Sequence, residues 1–242
     1  MSKKSLQGEG ELNFLDQLAR TTGRRTFLHW SGLTLAVVAL GCSDDDDGGT
    51  GPGTTDVNLG SGDTGVLNYA YALEQLEAAF YTQVVASFYA GATANEQTIL
   101  TDIRNHEVIH RDFLKAALGT SAIADLQVDF ASINFSDRGS VLGAAKTFED
   151  LGVSAYNGAG QLLTDAANLL VAGKIVSVEA RHAAAIRDLL VPSSSAVGSF
   201  AGDDTVDPTT GLEIPERAPA AVLAAADTYV VTTINASGLP TS

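Results

Sequence analysis

Glu107-Val108-Ile109-His110 recurs as Glu179-Ala180-Arg181-His182, 72 residues further on. Another glutamate precedes each copy by 30 residues, Glu77 in the first and Glu149 in the second. Three polar positions therefore repeat at one offset without a gap (149−77, 179−107 and 182−110 are all 72). Apolar positions follow the same offset: Ile99 with Val171, Ile103 with Ile175, Leu114 with Ile186 and Leu118 with Leu190. Lys115 falls on Arg187.

The spacing has a chemical meaning. Residues three apart on an α-helix lie on one face, so Glu-x-x-His sends a carboxylate and an imidazole into the same space. Two such helices, with two more carrying one glutamate each, assemble four carboxylates and two imidazoles. This is the ligand set of a di-iron or di-manganese carboxylate site inside a four-helix bundle. Charge agrees: the negative charge of four carboxylates matches the positive charge of two divalent ions. Without metal, packed carboxylates repel and take up protons.

The apolar pattern supplies the helices. An apolar, proline-free stretch from Val66 to Tyr89 reads as a buried helix starting near Gly62-Asp63, with Asp63 as its N-cap and Gly91 ending it. A second helix opens at Asn95-Glu96, runs to Leu118 and stops at Gly119. Residues 119–138 form a long link. A third, glycine-rich helix spans about Arg138 to Leu163, where Gly143, Gly152, Gly158 and Gly160 lower helix propensity but permit close approach. The fourth runs from about Asp165 to Leu190, before Pro192. Short, long and short links describe two antiparallel hairpins joined by a crossover. Residues 192–219 read as an extended loop, and a last apolar helix spans about Pro219 to Ile234. The expected fold is all-α, a four-helix bundle over 62–190 with a loop and helix over 191–242.

The N-terminal region has another character. Gly23-Arg24-Arg25-Thr26-Phe27-Leu28 precedes an apolar run ending at Leu40-Gly41-Cys42. Residues 1–41 resemble a twin-arginine export signal, with Gly23 and His29 in place of the common serine and lysine. Cys42, the only cysteine, excludes an internal disulfide. It resembles the lipidated cysteine of a lipoprotein signal, with Ala39 where leucine is usual. Asp44 to Asp47 and the glycines after them make 42–61 a solvated tether. The expected location is periplasmic or at the cell envelope, with a lipid anchor through Cys42. The chain carries a net charge of −15. Removing 1–41 takes away five basic and three acidic residues, leaving 9−26 = −17. That balance argues against a nucleic-acid partner.

Leu67-Asn68-Tyr69-Ala70-Tyr71-Ala72-Leu73-Glu74-Gln75-Leu76-Glu77-Ala78-Ala79-Phe80-Tyr81, together with His106-Glu107-Val108-Ile109-His110 and Val178-Glu179-Ala180-Arg181-His182, carries a family resemblance. The chain resembles ferritin-like four-helix bundle proteins and, more narrowly, exported ferritin-like proteins that include desiccation-related ones. The resemblance implies that Glu107 and Glu179 bridge two Fe or Mn ions. It makes Glu77 and Glu149 terminal ligands and gives one ion each to His110 and His182. Oxygen or peroxide would then be the reaction partner. The alternative is a protective envelope protein whose metal is a structural staple.

Competing readings attach to neighbouring residues. His106 to His110 also fit His-Glu-x-x-His, a zinc protease pattern. The repeat argues against it, because Val178 stands where His106 would recur. His106 is expected on the helix surface or behind a ligand. Glu74 lies three residues before Glu77 on a similar face and could support the ligands from behind, but Lys146 takes its place in the second copy, which favours ordinary helix polarity. Tyr81 and Tyr156 lie one and two turns past Glu77 and Glu149; either could hydrogen-bond a ligand or act as a nearby redox-active phenol, and core packing with a satisfied hydroxyl is the expected role for both.

Overall fold

The computed structural model describes residues 56–191, 200, 202–213 and 217–241. The export signal, Cys42 and most of the tether lie outside the described residues. Four long helices form the bundle: α1 (Gly62–Ala86), α2 (Ala94–Leu118), α3 (Arg138–Gly160) and α4 (Ala166–Leu190). A short α5 (Pro219–Ala226) follows. α1 packs mainly on α2 and α3 on α4, giving the two expected hairpins, and contacts between hairpins are far sparser.

Local chemistry sets the helix starts. Thr93 caps α2 in a reciprocal box: its hydroxyl accepts from the Glu96 amide at 3.2 Å and Glu96 Oε2 accepts from the Thr93 amide at 2.7 Å. Asp137 and Asp165 cap α3 and α4. Asp63 does not cap its own helix, whose N-cap is Ser61. Its carboxylate instead accepts from the amides of Thr164 and Asp165, the Thr164 hydroxyl and the Asn168 side chain. The start of α1 is thereby tied to the start of α4.

The core is built around Phe80, which is fully buried on α1. Its ring centroid lies 4.9 Å from that of Phe148 on α3, and 5.9 and 5.8 Å from those of Phe130 and Phe135 in the crossover. Tyr229 from the C-terminal segment adds an edge contact to Phe148 at 4.8 Å. One aromatic cluster thus joins a helix from each hairpin, the crossover and the tail.

The tail departs from expectation. Its helix ends at Ala226, not near Ile234, and a 3₁₀ turn (Asp227–Tyr229) follows. The chain then runs beside the crossover, with the Asp129 amide bonding Tyr229 O and the Val231 amide bonding Gln127 O. It finishes in a two-residue parallel pairing of β1 (Val57–Asn58) with β2 (Ile234–Asn235). Val57 and Leu59, the end of the expected tether, are consequently buried. Asn68 fixes this corner: its amide donates to Leu59 O and Ser121 O, and its carbonyl accepts from the Ile123 amide. A pattern of period 3.6 cannot foresee such strand pairing, because its partner is 177 residues away (234−57). The third helix also ends early, at Gly160. Close approach is real at Gly158, where a Cβ would meet the Arg217 carbonyl oxygen at 2.1 Å.

Phe80→Ala will destabilise the protein by about 3–5 kcal/mol, the usual cost of emptying a buried aromatic site. Denaturant unfolding of the full chain, compared with the wild type, measures it.

Candidate metal centre

The helical spacing delivers the two Glu-x-x-His pairs into the middle of the bundle. Glu107 and His110 come from α2, Glu179 and His182 from α4. Glu149 comes from α3, and Glu74 and Glu77 from α1. All five glutamates are buried, four of them completely.

Two ligand groups emerge. Glu74, Glu107, His110 and Glu179 form one, and Glu107, Glu149, Glu179 and His182 the other, with one ligand atom of each member lying within 4.8 Å of those of the rest. Glu107 and Glu179 belong to both. Both histidines use Nδ1. His110 Nδ1 lies 2.9 Å from Glu179 Oε1 and 3.5 Å from Glu107 Oε2 and Glu74 Oε2. His182 Nδ1 lies 2.7 Å from Glu107 Oε1 and 3.5 Å from Glu149 Oε2.

These contacts are close but do not have hydrogen-bond geometry. Both oxygens of Glu107 and of Glu179, one each of Glu74 and Glu149, and Nδ1 of both histidines are buried without a hydrogen bond. Buried polar atoms nearly always have partners, because leaving them bare costs the full desolvation penalty. A cation between the carboxylates and imidazoles would satisfy them together. The donor set of carboxylate oxygen and imidazole nitrogen suits Fe(II) or Mn(II).

Around these carboxylates and imidazoles a second set of bonds fixes the side chains. Tyr81 on α1 donates to Glu149 Oε1 at 2.5 Å, and Tyr156 on α3 donates to Glu74 Oε1 at 2.6 Å. His106 Nδ1 lies 2.9 Å from His182 Nε2, with the rings nearly parallel at 9°. His182 is thus held through its rear nitrogen, the usual way a ligating imidazole is oriented. His106 joins neither ligand group, so His106 and His110 do not converge as a protease pair would.

Of the six candidate ligands, five enter the two groups: Glu107, His110, Glu149, Glu179 and His182. Glu77 is buried beside them but belongs to neither group. Glu74 is the residue that sequence reasoning undervalued. It is completely buried, bonded to Tyr156 and within reach of His110, which ordinary helix polarity would not produce. Both tyrosines pack in the core as expected, but their hydroxyls also serve the carboxylates. The available signal was the common spacing of seven residues, Glu74 to Tyr81 and Glu149 to Tyr156.

Electrostatics in the metal-free bundle follow from burial. Desolvation pushes Glu77, Glu149 and Glu179 upward, reinforced by the charge of Glu107 on all three and opposed at Glu149 by His182. Glu74 rises to about 7, mainly through burial and partly offset by His110. Glu107 goes the other way: burial opposes its charge, but His110 and His182 prevail and bring it to about 2. Burial also opposes the charged imidazoles, yet their carboxylate partners lift His110 to about 12 and His182 to about 10.

The sign for stability follows. Raised carboxylates and raised histidines both make the folded state hold protons that the unfolded chain releases, so their contribution is lost as pH rises. For Glu74 the window runs from the reference 4.5 to about 7, and for His182 from 6.5 to about 10. Glu107 contributes above 4.5 and fades toward about 2. The metal-free protein will therefore melt at falling temperature as pH is raised from about 5 to about 9, while metal loading flattens or reverses the trend, since metal replaces the protons. Thermal melts with and without chelator across that range check this.

The profile of the ferritin-like domain matches residues 62–192 of the chain, the span of the four helices. No curated protein matches it. With more than half of its length covered by that match, and with paired helical hairpins around buried carboxylates and imidazoles, the chain belongs to the ferritin-like domain family.

Proposed function

We propose that the protein is an exported di-metal carboxylate protein that oxidises Fe(II) or consumes peroxide in stress protection. The observation that carries this reading is the pair of four-residue ligand groups sharing Glu107 and Glu179. In it Glu107 and Glu179 would be shared by two ions, His110 and His182 would each hold one, and Glu149 and a carboxylate of α1 would complete the two groups. Two bound Fe or Mn ions supply two electrons at one place, matching the reduction of peroxide, with two protons, to two waters.

The chain's own groups prepare the place for that chemistry. Tyr81 and Tyr156 hold a hydroxyl proton on one oxygen of Glu149 and Glu74 and leave the other free to bind. His106 fixes the ring plane of His182. The enclosed position of the carboxylates excludes water from most of their surface, which strengthens every charge interaction with a cation.

A structural role is the second reading, and one observation favours it. The two hairpins touch each other sparsely compared with the packing inside each hairpin. Carboxylates drawn together by metal would then add a central fastening to those made by the Phe80 cluster and Asp63. Replacing Glu107 and Glu179 by glutamine separates the readings: a retained fold with lost turnover supports the enzyme, and a lost fold with no turnover in the wild type supports the staple.

Protein folded in the cell will contain roughly two Fe or Mn ions per chain, as a site of this ligand set holds. His110→Ala/His182→Ala will lose them in elemental analysis. Metal-loaded wild type will oxidise Fe(II) or accelerate peroxide loss; a folded, loaded sample that does neither removes the redox reading.

Residues 1–42 support export and anchoring as part of the same proposal. Intact-mass analysis of the mature protein will give a chain beginning at Cys42 and carrying lipid, and an unmodified chain beginning well beyond it refutes the anchor.

A further inference from the structure

The offset of 72 that links Glu77 to Glu149 is not the one that relates α1 to α3 in space. Glu74 and Tyr81 match Glu149 and Tyr156 at an offset of 75 (149−74 and 156−81). The two tyrosines cross over reciprocally, each donating to the other pair's glutamate. This exchange makes Glu74 the spatial counterpart of Glu149. Glu77 then falls opposite Gly152 (152−77 = 75). A Cβ at Gly152 would lie 2.9 Å from Glu77 Oε1 and 3.5 Å from Glu179 Oε2. The glutamate on one helix fills room that the absent side chain leaves on the other. Glu77 is only 3% exposed. Both oxygens of the neighbouring Glu179 are buried without a hydrogen bond, and the charge of Glu179 acts directly on Glu77.

We propose that Glu77 is an additional metal-facing carboxylate, seated in the space vacated by Gly152, and that Glu74 is the terminal ligand on the His110 side. The inference rests on the di-metal reading and changes its ligand register. α1 supplies two carboxylates where α3 supplies one, so five glutamates face the ions. The extra negative charge tightens the hold on both cations without being needed to complete either ligand group.

The test uses Co(II) as a spectroscopic stand-in, bound to the full metal-free chain, with stoichiometry read by equilibrium dialysis and coordination by visible absorption. Wild type binds two ions. Glu74→Gln and Glu149→Gln each lose one ion and change the spectrum alike. Glu77→Gln keeps both ions but binds them about ten- to a hundredfold more weakly, the usual effect of losing a group that supports a metal site. Gly152→Ala, whose methyl group crowds Glu77 Oε1 at 2.9 Å and forces that carboxylate to shift, reproduces the weakening. Circular dichroism confirms that each variant is folded; Glu77→Gln preserves shape and removes a buried charge, so the fold persists. Loss of an ion in Glu77→Gln with two retained in Glu74→Gln overturns the register. Unchanged affinity in both Glu77→Gln and Gly152→Ala overturns the added carboxylate. A wild type that binds no Co(II) refutes the di-metal reading itself, and that is seen before any variant is made.

Discussion

Mutual repulsion among buried carboxylates is the constraint on which the rest of the structure depends. Five glutamates from all four long helices converge in a region nearly sealed from water. Burying a bare carboxylate is expensive, and burying several together is more so. Such a core survives only if positive charge is supplied. In the metal-free chain His110 and His182 are each pressed against two or more carboxylates, which favour the protonated, positively charged imidazole. With ions in place the imidazoles would give up their protons and turn from counter-charges into ligands. The same seven side chains are therefore suited to two electrostatic states, one balanced by protons and one by metal.

The remaining architecture supplies rigidity around this costly centre. Each hairpin is tightly packed within itself, and features away from the carboxylates bind one hairpin to the other. The Phe80 cluster does so at one level. Asp63 does so at the bundle end, gathering the exposed amides that begin α4. Arg187, deeply buried on α4, pairs with Asp150 on α3 and Asp204 in the following loop, which pins that loop to the second hairpin. The tail crosses α3 where Gly158 leaves room for its backbone and then sews Val57–Leu59 to the crossover.

Much of this was legible in the sequence, and the gaps have physical causes. The Glu-x-x-His pairs were readable because helical periodicity turns spacing directly into direction. Helix ends were readable to within a few residues wherever glycine or a capping side chain marked them. The equivalence of Glu77 and Glu149 rested on an ungapped offset, but links between helices do not preserve length: the α1–α2 connection spans residues 87–93 and the α3–α4 connection 161–165. The repeat of α2 with α4 keeps one offset and that of α1 with α3 another. Glu74 was discounted because its partner was sought at Lys146, one turn from the true counterpart. The tail was illegible because its anchors, β1 and the crossover backbone, are set by hydrogen bonds between distant main-chain segments that leave no side-chain signature.

The crossed tyrosines have one more consequence. Each hairpin provides the hydroxyl that steadies a carboxylate of the other, so neither hairpin alone completes the hydrogen bonds of its own carboxylates. The arrangement is that of a two-fold symmetric dimer joined into one polypeptide. In a true homodimer any side chain placed near the axis must appear twice and meet its own image. A glutamate at the position of Glu77 would then face a second glutamate where Gly152 now stands, with neither room nor charge balance for both. Covalent fusion lifts that rule, and the two halves are free to be unequal where a symmetric assembly would have to compromise.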